Sequence, residues 1–138
     1  MIELLVVIAI IGILSSVVLA SLNTARNKGA DAAIKSNVDS ARAQAELYYD
    51  SGATNTYAGV CAAASTANPG GILTMEQGAI AAGSGTVVCG DTATAWAISA
   101  QLKVDNTKYW CVDSTGKTGT QTGATITDGA GSADTTCG

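Results

Sequence analysis

The sequence predicts an α+β protein: a long N-terminal α-helix, half apolar and half amphipathic, packed on a small antiparallel β-sheet head that carries disulfides. Three observations lead there. Residues 4–22 hold no charge, only Leu, Val, Ile, Ala, Gly and Ser. Residues 23–50 carry on with helical spacing and no stop signal. Residues 51–138 change to short strand-like runs, turn residues and four cysteines. The chain therefore divides into an apolar half-helix (1–22), an amphipathic half-helix (23–50) and a small disulfide-bonded head (51–138).

The uncharged run 4–22 makes about 28 Å of helix, close to one hydrocarbon thickness. A helix apolar on every side must be buried in lipid or in other protein. Glu3 stands at the edge of this run, and an ionisable group there is costly unless it finds a partner. Ala9, Gly12, Ser15 and Ser16 are small enough to let helices approach closely.

In the second half, Ile34, Val38, Ala41, Ala45 and Tyr48 follow i, i+4, i+7, i+11 and i+14, one apolar stripe. Asp31 with Lys35, Lys35 with Asp39, Asp39 with Arg42 and Arg42 with Glu46 lie at helical spacing. Such exposed pairs contribute about 0.2–0.5 kcal/mol each. Gly29 is the weak point, and Ser51-Gly52 is a C-terminal stop signal. A single helix over residues 2–50 would be about 75 Å long.

Residues 51–73 read as loop, with a turn at Pro69. Thr74 to Gln77 fits a capping box, opening a short helix over 75–82. Residues 95–102 read as a strand with Trp96, Ile98, Ala100 and Leu102 on one face, and 108–113 as the next, joined by a turn over 104–107. A second turn at 114–117 leads to a weaker Thr-rich strand over 118–127. The Gly- and Asp-rich tail, 128–138, would fray unless Cys137 ties it down.

Composition excludes several function classes. The net charge of -4 argues against a nucleic-acid binder, which needs a basic face. The absence of His removes imidazole ligands and His-based nucleophilic triads, and the cysteines show no CxxC spacing, so no metal or cofactor site is expected. An even number of cysteines in a head of small residues reads as two disulfides and an oxidising compartment. Of three connectivities, the nearest is expected, Cys61–Cys89 and Cys111–Cys137. Each closes a loop worth about 3–4 kcal/mol.

Residues 2–14, IELLVVIAIIGIL, resemble the N-terminal segment of type IV pilins and the related pseudopilins. The match is specific over about 20 residues and architectural beyond them. The resemblance implies a structural protein, not an enzyme. It would wait in the inner membrane as a transmembrane monomer and polymerise into a helical extracellular filament, the pilus or fimbrium, at the cell surface. Adhesion and motility are activities of such filaments. The resemblance also implies processing by a prepilin peptidase, N-methylation, and a pilus assembly platform as partner. Carried over residue by residue, Glu3 matches the assembly glutamate, its partner being an N-terminal ammonium, here that of Met1. Gly12 matches a glycine where the helix loosens in the filament. The filament core, or membrane face, would be Leu4, Leu5, Val6, Val7, Ile8, Ile10, Ile11, Ile13, Leu14, Val17, Val18 and Leu19.

Two features depart from the family pattern. The family usually carries Phe-Thr-Leu before Ile-Glu, whereas Met1 alone precedes Ile2 here. Three readings follow: loss of a leader and two residues, a misplaced start codon, or a shorter mature end. A helix-kinking Pro is common in the family where this chain has Ala20, so loosening would rest on Gly12 and on Ser15-Ser16. The alternatives are a pseudopilin of a type II secretion-like system and a membrane-anchored binding protein that never polymerises. Bland readings outweigh functional ones elsewhere: the aromatics form no stripe, Asp128 and Asp134 complete no calcium loop, and Lys103, Lys108 and Lys117 are too few for DNA capture.

Overall fold

The computed structural model describes residues 1–52, 55–62, 70–124, 126 and 134–138, with the backbone of 129–130. Helix α1 (Ile2–Ser51) runs unbroken for 50 residues through Gly12, Ser15-Ser16 and Gly29. It ends where the sequence predicts, but not by a left-handed glycine. Gly52 is extended (φ -79°, ψ 139°), and its N–H closes the last turn on the Tyr48 carbonyl. Asn55 takes the positive φ instead, at 45°. Helix α2 (Leu73–Ala81) follows, then β1 (Val87–Asp91), β2 (Trp96–Gln101), β3 (Lys108–Asp113), β4 (Thr118–Thr122) and the two-residue β5 (Gly129–Ala130).

The strands form one sheet in the order β4-β3-β2-β1-β5. β1 to β4 make an antiparallel meander, and β5 runs parallel to β1, with Gly90 opposite Gly129. The predicted stripe on α1 packs against this sheet. Ile34, Val38, Ala41 and Ala45 are fully buried with Trp96, Ile98 and Ala100 of β2 and Val112 of β3. Small Ala41 and Ala45 let the helix backbone approach, and the larger β2 side chains fill the gap.

The far side of the sheet has a second, smaller core: Val88, Ala97, Cys111, Ile126 and Cys137. Each face carries one disulfide. Cys61–Cys89 fastens the loop after α1 to β1 on the helix side, and Cys111–Cys137 fastens the tail to β3 on the far side. In a head this small, the two bonds and the two thin cores supply the stability that one larger core would give.

Two readings of the sequence need correction, and one strand carries no sequence signal. No capping box starts α2. Thr74 lies inside the helix, its hydroxyl donating to Met75 Sδ at 3.1 Å, and the N-cap is Ile72. Ile72 is fully buried and its N–H bonds to the Val60 carbonyl, so apolar burial fixes the start where a hydroxyl was expected. Strand β1 is buried on both faces, and Val87-Val88-Cys89-Gly90 shows no alternation that would mark a strand. The Thr-rich strand stops at Thr122, where Gly123 turns the chain at φ 79°. The turn at Pro69 lies outside the described residues.

Candidate functional site

The surface of α1 changes character along its length. From Met1 to Ala25 every residue is exposed. Leu4 is 68% exposed, Ile13 66% and Leu19 66%, on a helix with no polar face in this region. Monomeric proteins rarely leave more than a few hundred Å² of contiguous apolar surface in water. This stretch is long and apolar enough to cross a membrane, by length and composition. All twelve predicted core-facing residues, from Leu4 to Leu19, lie on it.

Glu3 sits in the first turn of α1, where the helix dipole favours an acid. The structure gives its carboxylate no partner among the described residues, and Met1 supplies the first carbonyl of the helix, bonded by the Leu5 N–H at 3.4 Å. A Cβ at Gly12 would meet nothing within 4 Å. Its smallness therefore serves no packing contact among the described residues. Ser16 Oγ bonds back to the Ile13 carbonyl at 2.7 Å, and Thr24 to the Ala20 carbonyl at 3.3 Å, so these side chains satisfy themselves on an apolar rod.

Beyond Ala30 the helix is docked. Four of the charged residues that sequence spacing pairs along the helix, Asp31, Lys35, Asp39 and Glu46, find partners on the head. Asp31 accepts the backbone N–H groups of Lys103 and Val104 in the β2–β3 turn, at 2.5 Å and 3.3 Å. Asp39 Oδ1 accepts the Trp110 Nε1–H at 2.8 Å, and the Lys35 ammonium lies 4.8 Å from the centre of that indole. Glu46 accepts the Tyr57 hydroxyl at 2.9 Å. Gln44 donates to the Gly70 carbonyl at 2.7 Å, and Tyr48 to the Ala58 carbonyl at 2.8 Å. Arg42 lines a cavity of about 130 Å³ with Asp39, Val112 and Thr118. The distal half of α1 is thus fixed to the head along both flanks of its buried stripe.

Reasoning from sequence missed two buried acids. Asp91 is fully buried on β1, with Oδ2 accepting the Gly59 N–H. Asp113, 1% exposed at the end of β3, takes the Thr115 N–H, the Thr115 hydroxyl and the Lys117 N–H on Oδ1, and the Cys137 N–H on Oδ2 at 2.8 Å. Burial raises its pKa. The hydrogen bonds outweigh that effect and hold the carboxyl below its usual range. The pattern Asp-Ser-Thr-Gly-Lys contains the signal, since an Asp before a turn accepts the N–H two residues on. Lys117 completes this clamp, its ammonium bonding the Cys137 and Gly138 oxygens at 2.7 and 3.0 Å.

The remaining sequence candidates do not converge. Lys108 bonds Thr122, Lys117 holds the tail and the Lys103 backbone meets Asp31. Trp96 is in the core, Trp110 lies against α1, and Tyr49 stacks on Tyr57. Among the described residues no three His, Cys, Asp or Glu side chains come together; Asp128 lies outside those residues. The chain matches no family model, no characterised protein and no solved structure.

Proposed function

We propose that this chain is the structural subunit of a type IV pilus-like filament. It is stored in the membrane through residues 4–22 and polymerises when those helices pack together. One observation carries the reading. A single continuous helix exposes apolar surface on every side over its first half, and is docked to a disulfide-bonded head over its second. Such a rod has two environments that remove it from water: lipid, one subunit at a time, or the bundled helices of other subunits. The pilin-like segment at residues 2–14 supports the second as the working state. Head-to-tail contacts that do not close generate a helical filament.

In this reading Glu3 sets register. Buried in lipid without a partner, an acid costs about 2.5–3.5 kcal/mol. In the filament it meets the N-terminal ammonium of a neighbouring subunit. Such a buried pair adds little net stability, but loss of one partner costs about 3–5 kcal/mol, so misregistered subunits are rejected. Gly12, with open space where a Cβ would stand, gives a neighbouring helix room to approach.

The test is Glu3→Ala in cells that assemble the filament. The expected result is membrane-held monomer with few fibres. Fibres as abundant as those of the parent would refute the register role. A chain that makes no fibres in either form, yet stays in the membrane, would be a tethered binding module.

A further inference from the structure

Three of the four tyrosines meet where α1 ends. Tyr48 and Tyr49 stand in its last turns, and Tyr57 lies in the segment that follows. The Tyr57 hydroxyl donates to Glu46 Oε1 at 2.9 Å, and its ring centre is 4.7 Å from that of Tyr49, the planes inclined by 37°. All three rings are half-buried, so a small reagent reaches them. Tyr48 donates to the Ala58 carbonyl, which hydrogen-bonds but takes no proton. Tyr109, the fourth, is on β3 and has no tyrosine ring against it among the described residues.

We propose that Tyr49 and Tyr57 form an oxidative cross-linking site, converted to dityrosine by a one-electron oxidant of the metal-activated peroxide class, with Glu46 accepting the Tyr57 proton. Two physical features select this pair. Removing an electron from a phenol makes its hydroxyl strongly acidic, so oxidation is easiest where a base already holds that hydrogen. Glu46 does so for Tyr57. Burial first, then the Glu46 hydrogen bond and charge, push the Tyr57 pKa up to about 12, so the phenol is fully protonated at neutral pH and needs that acceptor when oxidised. The second feature is proximity. A radical formed at Tyr57 has the Tyr49 ring already in contact, which removes the entropy of finding a partner.

The chemistry balances as follows. Each phenol gives one electron to the oxidant and one proton, that of Tyr57 to Glu46 and that of Tyr49 to solvent. The two phenoxyl radicals join through ring carbons ortho to oxygen. The two displaced ring hydrogens then restore the two hydroxyls. Two electrons and two protons leave in all, and they reduce one peroxide to two waters. The new bond would fasten the last turn of α1 to the segment leading to Cys61, beside the disulfide that already holds Cys61 to β1.

The full chain in detergent, dilute enough to keep subunits apart, is photo-oxidised with tris(bipyridine)ruthenium(II) and persulfate. It is then reduced and cut after Glu and Asp, which releases peptides 47–50 and 51–76. The expected product is these two peptides joined, two hydrogens lighter than their sum, with dityrosine fluorescence. Tyr57→Phe and Tyr49→Phe each abolish it, while Tyr48→Phe leaves it. Glu46→Gln keeps a hydrogen-bond acceptor but takes no proton, and since it also removes the cut after residue 46, its joined product is 40–50 with 51–76. Its initial rate should fall by about tenfold, less than the 10²–10⁴ a positioned base contributes in enzymes because water competes as acceptor. Cross-links through Tyr48 or Tyr109 in place of this pair, or tyrosine loss without a joined peptide, would overturn the site. An unchanged rate in Glu46→Gln would overturn the role of the carboxylate.

Discussion

Asp113→Asn is a nearly isosteric change at a residue 1% exposed, and its cost can be worked out atom by atom. The Asn carbonyl oxygen can keep the three bonds now made to Oδ1, from the Thr115 N–H at 2.9 Å, the Thr115 hydroxyl at 2.7 Å and the Lys117 N–H at 3.1 Å. The amide nitrogen then replaces Oδ2 and faces the Cys137 N–H, so two donors meet in a buried place. Rotating the amide only moves the conflict to the other three donors. One bond to a charged acceptor is lost and one buried donor is left unmatched, which together cost on the order of 2–4 kcal/mol. The Cys111–Cys137 bond still holds the tail covalently, so the loss should appear as a lower unfolding free energy without release of the chain. Equilibrium urea unfolding in detergent, followed by the fluorescence of buried Trp96, measures it.

A pH series supplies a second check. The Asp113 carboxyl is held below its ordinary value, so its stabilisation is full above the unfolded pKa of about 3.9 and disappears as pH falls through the lower folded value. Asn does not titrate. The gap between parent and variant should therefore be constant from neutral pH down to about 4 and shrink below it. A neutral-pH difference under about 0.5 kcal/mol, the usual range for a surface change, would refute this account of the clamp.

Three further outcomes can be measured in the same unfolding assay. Ile34→Ala, at a fully buried position between α1 and β2, should cost about 2–5 kcal/mol; a loss below 1 kcal/mol would mean the helix is not seated on the sheet as described. Trp110→Phe keeps the apolar ring but removes the hydrogen bond to Asp39 and weakens the Lys35 contact, for about 0.5–1.5 kcal/mol in this exposed setting. A double-mutant cycle with Asp39→Asn should return a coupling of that order, and zero coupling would remove the contact. Gly71→Ala would place its Cβ 2.7 Å from the Val60 carbonyl oxygen, a backbone atom that also accepts the Ile72 N–H, and should cost about 1–3 kcal/mol.

What could be read in advance followed periodicity. The stripe Ile34, Val38, Ala41 and Ala45 repeats with the helix and is buried in full, and β2 alternates large and small side chains at Trp96, Ile98 and Ala100. β1 has no such rhythm: Val87-Val88-Cys89-Gly90 does not alternate large with small as β2 does. The charges on α1 were legible as helical spacing but not as docking groups. Spacing shows which residues share a face and cannot show that Asp31 reaches backbone across 72 residues of sequence. Asp113 was hidden for a related reason: an acid before a turn looks solvated until the tail folds over it. At the candidate site, Glu3 and the apolar run were readable because an uncharged stretch beside one acid needs no tertiary context.

The point at which the head first grips the helix also sets a standoff distance. From Leu22, where the apolar run ends, to Asp31, which bonds the β2–β3 turn, α1 rises about 13 Å. The headgroup layer on each side of a bilayer is only about 5–8 Å deep. With residues 4–22 across the hydrocarbon, the exposed side chain of Arg26 comes level with the lipid headgroups, and Asp31, where the β2–β3 turn is held, lies beyond them. Under the proposed function, heads carried on such stalks would slide past one another in the plane and compare their flanks without dragging on lipid, so neighbours would be sorted before any helix leaves the bilayer.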